Sequence, residues 1–301
     1  MIIIYDDATG PTLVIYGAFL HCWRCQVSKA RRTGESTMFN SVVVTCVLKD
    51  LPRDVEGGGR VKASIISVAA CRFFSLHPLK MPTLAAAKTS NAGYCPSYLP
   101  VAVIFGGTSG IGQAITETLA EYLRGRVHIV IVARNKAAAD AIIASLPRPI
   151  ASDAAGSKYE FVACDVTLMK NVHAACRELS ERLPRINFLV LSAGVFALTG
   201  REETEEGIDK KMASRYYSRW AIIHDLLPSL RKAKEAGEDA SVLSILGAGI
   251  GWEVDVEDLG LKKRYTALKA MMQTVSYNDY MIAVCRFFFF LYLRLDLENH
   301  L

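Results

Sequence analysis

Two groups of residues have the types and spacing to do chemistry. The first is the run Phe105-Gly106-Gly107-Thr108-Ser109-Gly110-Ile111-Gly112. It follows a short apolar segment, 101–105, and opens a segment, 111–123, whose apolar residues fall at helical spacing. Glycine, lacking Cβ, lets a backbone turn tightly and approach a pyrophosphate. The free N–H groups at a helix start add partial positive charge for a phosphate. In this strand–turn–helix setting the run predicts a dinucleotide cradle at Gly106, Ser109, Gly110, Ile111 and Gly112, the last glycine letting helix and strand pack. The second group is Tyr265-Thr-Ala-Leu-Lys269. Residues i and i+4 share a helix face, so an ammonium at Lys269 would lower the pKa of Tyr265 from its reference of about 10. A phenol tuned in this way can exchange a proton with a carbonyl or alcohol oxygen near neutral pH. The plain alternatives are an ordinary glycine-rich turn and an exposed helix pair.

Positioning these groups falls to elements that alternate along the chain. Strand-like segments at 128–133, 159–163, 187–191 and 240–246 follow the one at 101–105. Helix-like segments at 135–146, 169–183, 205–236 and 265–281 lie between and after them. Such alternation predicts a parallel sheet covered on both faces, and apolar strands suit burial on both sides. Right-handed crossovers then give an α/β fold with a doubly wound Rossmann-type sheet.

Composition narrows the function classes. Hydrophobic residues make up 51% and charged residues 22%, which excludes a disordered chain. The net charge of +5 is spread along the sequence, so no nucleic-acid partner is expected. Eight cysteines, at 22, 25, 46, 71, 95, 164, 176 and 285, form no disulfide framework and are read as reduced thiols in a cytoplasmic protein. Cys22-Trp-Arg-Cys25 lacks a second ligand pair, so no metal site is expected. No apolar stretch reaches the roughly 18 residues of a membrane helix. The longest, 281–293, contains Arg286, and no membrane partner is expected.

The spacing of Gly106, Gly110 and Gly112 resembles that of the short-chain dehydrogenases/reductases, over roughly residues 81–284. The GGTSGIG turn, Tyr216-Tyr217-Ser218-Arg219 and Tyr277-Asn278-Asp279 are similar to fungal reductases of secondary-metabolite pathways. The resemblance implies hydride transfer between a nicotinamide and a carbonyl or alcohol substrate. It makes Tyr265 the acid/base and Lys269 both its tuner and a holder of the nicotinamide ribose. NAD-preferring members end the second strand with an acidic residue, whereas this chain has Arg134, which suits a 2′-phosphate and points to NADP(H). Asp165 falls at the adenine-contacting position, and it could equally cap the helix starting near Thr167. Ser192-Ala193-Gly194 stands where the family has Asn-Ala-Gly, placing Ser192 and Gly194 beside the nicotinamide ribose.

Two members of the usual tetrad depart from the pattern. Gly247 falls at the catalytic Ser position, leaving Ser244 as a candidate if the register shifts or as a buried structural Ser otherwise. The family's helix Asn falls at Arg215, which offers donors only. A catalytically inactive nucleotide-binding protein is therefore the rival reading.

Composition shifts at Met81 and Val284 divide the chain into an irregular extension at 1–80, the nucleotide-binding domain at 81–284 and an apolar tail at 285–301. The Pro-Gly segment that the family carries after the Tyr/Lys helix is absent. The expectation is a sheet truncated after its fifth or sixth strand, the tail reading either as a sixth strand or, like the 1–80 extension, as a non-native end from a faulty gene model. The oligomeric state stays open; the resemblance implies that a homo-oligomer would use the 205–236 and 265–281 helices.

Overall fold

A computed structural model describes residues 44–47, 84–150, 155–247 and 250–298. Its centre is a six-stranded sheet of β1 (Val44–Val47), β2 (Val101–Phe105), β3 (His128–Ala133), β4 (Lys158–Ala163), β5 (Phe188–Leu191) and β6 (Ser241–Ser244), in the order β1-β6-β5-β2-β3-β4. The strands β2 to β6 are mutually parallel where they pair, and β1 runs antiparallel to β6 with Val44 opposite Ser244. The helices are α1 (Leu84–Gly93), α2 (Gly110–Tyr122), α3 (Lys136–Ser145), α4 (Met169–Arg182), α5 (Lys210–Met212), α6 (Ser218–Glu235) and α7 (Ala267–Glu298).

Alternate strand residues serve opposite faces. Val103, Phe105, Val130, Leu189 and Leu191 pack with Val172, Cys176 and Leu179 of α4 and with Ile222, Leu226 and Leu230 of α6. Ala102, Ile104, Ile129, Ile131 and Val190 pack with Ile115 and Leu119 of α2 and Ile142 of α3. This two-sided burial explains why the strands read as unbroken apolar runs. Each such Ile, Leu or Phe contributes about 1.5–3 kcal/mol. Phe105 pairs in register with both Val132 and Leu191, so the carboxyl ends of β2, β3 and β5 are level. The segments leaving those ends therefore meet along one edge, where open α/β sheets bind ligands.

Three expectations need correction. The zone at 1–80 contributes an element, because β1 adds an antiparallel edge strand; the burst at 41–48 lacks the alternation that would have marked it. The apolar tail is helical to Glu298, as neither Gly nor Pro interrupts α7. The alternation at 293–297 that reads as a strand is overridden by helix propagation from the preceding residues. Finally, the helical zone at 205–236 begins only at Lys210. Gly207 has φ +72°, and the Asp209 carboxylate accepts N–H bonds from Lys211 and Met212 as the cap of α5. A π-helical turn at Ala213–Tyr217 joins α5 to α6. The Cys22–Cys25 pair lies outside the described residues.

Candidate functional site

A cavity of about 630 Å³ opens where the strand ends converge, within the range of cofactor and ligand pockets. Its floor is the glycine turn, with Gly106, Thr108, Ser109, Gly110 and Ile111 all lining it. Gly106 has φ +88°, and a Cβ there would stand 2.5 Å from the Ala193 backbone nitrogen. Gly110 has φ +56° and faces open space, which leaves room for a ligand against the backbone. Gly112 does not line the cavity. A Cβ on it would come within 2.2 Å of the Gly106 carbonyl oxygen, so this glycine closes helix onto turn, as its place in the spacing requires. Ser109 flanks α2 without a side-chain cap bond, so the first-turn N–H groups keep their capacity for an anion. A shaped backbone cradle with uncapped donors fits a dinucleotide pyrophosphate.

On the β3–β4 side, Arg134 is exposed, lines the cavity and joins no ion pair among the described residues. Its neighbour Asn135 accepts the Ala138 N–H and starts α3, which fixes the strand-to-helix turn around Arg134. Asp165 also lines the cavity, and its Oδ1 accepts from the Thr167 N–H (3.0 Å) and hydroxyl (2.8 Å). It is a turn former rather than the helix cap. The cap of α4 comes from Glu206, whose two carboxylate oxygens accept the N–H groups of Met169 (2.7 Å) and Lys170 (2.9 Å). No local sequence signal marks a cap delivered from a residue so distant in the chain. Burial pushes the Cys164 thiol up to about 12, which leaves it a spectator in this wall.

On the β5–β6 side, Ser192, Ala193 and Gly194 line the cavity, and the N–H groups of Ser192 and Ala193 both reach the Phe105 carbonyl. Gly247 lines it as well. Ser244 does not. Its hydroxyl is buried between Arg219 Nη1, which donates to it at 2.6 Å, and Asn278 Oδ1 at 3.2 Å. The shifted-register role is thus replaced by a structural one, with side chains rather than backbone as partners. Arg215, on the π-helical turn, and Arg219, the second residue of α6, both reach the cavity wall. The sequence marks Arg215 only as a departure from Asn, and gives Arg219 no role.

The structure does not bring Tyr265 and Lys269 together at the cavity, and neither lines it. The helix starts at Ala267, and the Thr266 hydroxyl accepts the Lys269 N–H at 3.0 Å as its cap. Tyr265 therefore precedes the helix, and the shared-face premise fails at that point. Lys269 Nζ bonds Asp255 Oδ2 at 3.0 Å; this bond, with Arg264 beside it, holds the Asp255 carboxyl below the usual range. The Tyr265 ring sits under the cations of Lys211 (5.7 Å to the centroid) and Arg201 (6.0 Å). Its hydroxyl is buried without a hydrogen-bond partner among the described residues. Burial, then the neighbouring Asp209 carboxylate, push its pKa up instead of down. Lys211, a buried lysine that donates to Thr199 Oγ1 and the Gly200 carbonyl, is a further residue the sequence did not single out.

The described residues hold no cluster of three or more metal-ligating side chains, and no described helix is long and apolar enough to cross a membrane. The family model described as short chain dehydrogenase matches residues 100–255, just over half of the chain. Among curated proteins, the chain is 35% identical over 196 residues to oxidoreductase AN1596 of Emericella nidulans, covering 65% of this chain and 56% of that protein. It is 34% identical over 189 residues to oxidoreductase andH of Emericella variicolor, covering 62% and 53%. It is 32% identical over 200 residues to the NmrA-like family domain-containing oxidoreductase notO of an Aspergillus species, covering 64% and 58%. The chain thus spans little more than half the length of these relatives.

Proposed function

We propose, from the premise that this chain belongs to the short-chain dehydrogenase family, that it is an NADP(H)-dependent oxidoreductase moving hydride between a nicotinamide and a carbonyl or alcohol carbon. The observation that carries the reading is the cradle. A turn with two left-handed glycines and an uncapped helix start lies between Arg134, which joins no ion pair among the described residues, and the small Ser192–Gly194 surface. The turn would hold the pyrophosphate, Asp165 and its neighbours the adenosine, and Arg134 a 2′-phosphate by a charge-assisted contact. Ser192 and Gly194 would leave room for the nicotinamide ribose. The bound nicotinamide supplies the hydride, and the chain supplies orientation and exclusion of water. The oxidoreductase names of its fungal relatives support a redox role, and we extend this to secondary-metabolite biosynthesis in the cytoplasm.

The burial of the Tyr265 hydroxyl and the engagement of Lys269 with Asp255 favour a second reading, nucleotide binding without catalysis. One experiment separates the two. The protein is mixed with 4-deuterated NADPH and a panel of ketones and aldehydes, and the products are examined by mass spectrometry. Deuterium on the new carbinol carbon supports the oxidoreductase. Tight NADPH binding with no transfer to any carbonyl supports the second reading. No binding of either nicotinamide dinucleotide overturns both.

A further inference from the structure

The cavity wall off β5 and β6 contains two cations that meet no counter-ion among the described residues. Arg219 is only 2% exposed. Its Nη groups donate to the Ser244 hydroxyl (2.6 Å) and to the carbonyls of Ala193 (3.0 Å) and Ile245 (2.9 Å), and its Nε is buried with no partner. Arg215 donates from Nε to the Thr274 hydroxyl at 3.1 Å and from Nη2 to the Met271 carbonyl at 3.4 Å, and no bond from Nη1 occurs among the described residues. All these partners are neutral. Neither guanidinium joins an ion pair among the described residues, although Arg182, Arg185, Arg201 and Arg264 do.

Burying a charge without an opposite charge is strongly unfavourable, and proteins ordinarily supply a partner. Burial lowers the Arg215 pKa to about 10. Burial and then repulsion from Arg215 lower that of Arg219 to about 9, and no carboxylate opposes either shift among the described residues. Their placement says what is missing. In the sheet order β6-β5-β2-β3-β4, Arg134 and Asp165 leave β3 and β4, whereas the arginine contacts at Ala193, Ser244 and Ile245 leave β5 and β6. The glycine turn after β2 separates the two sides. Phosphates of a dinucleotide are served by the turn and Arg134, so the negative charge at the far side belongs to the other reactant.

We infer that Arg215 and Arg219 form an anion subsite that selects a substrate bearing a carboxylate beside its carbonyl or alcohol carbon. The inference rests on the dinucleotide reading above for which side of the cavity takes which reactant. Arg215, with its unbonded Nη1, makes the contact, and Arg219 supplies a fixed positive field behind it. A guanidinium suits this task because its planar donors match a carboxylate and its charge does not titrate near neutrality.

The test is calorimetric binding of benzoylformate and of its uncharged methyl ester, with and without saturating NADPH. The expected result is at least tenfold tighter binding of the acid, a preference lost in Arg215→Gln and partly kept in Arg215→Lys, with NADPH affinity unchanged. Arg219→Gln, if it folds, gives the same loss; the Arg215 pair decides the matter if it does not. Equal binding of acid and ester, or no binding of either, overturns the subsite. A fall in NADPH affinity in Arg215→Gln, by the factor lost for the acid, assigns the arginines to a cofactor phosphate and also overturns it. Failure of NADPH to bind the unaltered protein defeats the dinucleotide reading instead. The acid–ester difference in nucleotide-free protein still reports on the arginines.

Discussion

The glycine turn and the segment around Tyr265 are both short, both singled out by spacing, and differently placed. The turn sits at the cavity floor in the conformation its glycines demand. Tyr265 lies outside the cavity, ahead of the helix that was to carry it, against Lys211 and Arg201. In the turn, backbone sterics do the specifying: a Cβ at Gly106 or Gly112 meets other backbone atoms, so residue type and conformation imply one another. Around Tyr265, position depends on where a helix begins and on which carboxylates its neighbours meet. Spacing carries neither.

The sharpest way to break this contrast is Tyr265→Phe. If the phenol is the acid/base, turnover falls by about 10²–10⁴-fold. Because the hydroxyl is buried with no hydrogen-bond partner among the described residues, its loss leaves stability unchanged or raised by up to about 1 kcal/mol. Unaltered turnover in a well-folded variant removes Tyr265 from the chemistry. Next in size is Gly106→Val, which places a branched side chain at φ +88° against Ala193. NADPH affinity should drop more than 100-fold, about 2.7 kcal/mol, in a fluorescence titration. Retained affinity would show that the turn is not the cradle.

Smaller effects sharpen the comparison. Arg134→Ala should weaken NADPH about tenfold while leaving NADH almost untouched, because only the former carries the 2′-phosphate that a guanidinium can pair. Equal losses for both cofactors would refute the preference. Glu206→Gln removes a charged cap from α4 and should cost about 1 kcal/mol, or roughly 2–4 °C in thermal midpoint. The smallest effect concerns acid. Glu160 joins β4 to His128 on β3 and to Arg182 on α4. Burial opposes its ionisation, but bonds from Lys158 and His128 and the charge of Arg182 leave its pKa lowered. A carboxylate depressed in the folded state stabilises above its unfolded pKa of about 4.3, and that contribution disappears as pH falls through the folded value. Melting curves between pH 6 and 3 should therefore converge for Glu160→Gln and the unaltered protein at the acid end. Parallel curves would show that the network is inert.

Much of the fold was legible because periodicity reports burial. The strands β2 to β6 and the helices α2 to α4 fall within a few residues of where apolar spacing puts them. The doubly wound sheet follows from their alternation. What escaped depends on long-range pairing or on a start signal. β1 is an edge strand whose partner, Ser241–Ser244, is almost 200 positions away in the chain. Helix α7 runs on past the point where alternation suggested a strand. Arg134, Asp165, Ser192 and Gly194 line the cavity, and each follows a strand end, a place that topology makes predictable. Lys211 and Arg219 were missed because their significance lies in surroundings: one rests beside an aromatic ring, the other lacks an anion. For Ser244 the sequence leaves a cavity role and a buried structural one both open, because a hydroxyl at a strand end reads the same whether it faces a ligand or a buried guanidinium.

The stretch from Glu202 to Lys211 is held by two of its own carboxylates. Glu206 clasps the Met169 and Lys170 amides, and Asp209 accepts from the amides of Glu202, Lys211 and Met212. Amide hydrogens in ordinary connecting segments trade with solvent deuterium almost at once. These five are bonded to carboxylate oxygens on either side of one tight turn, so their clocks should run slow. In a time course of deuterium uptake, Glu202 in the connection and the opening amides of α4 and α5 would keep time with the core.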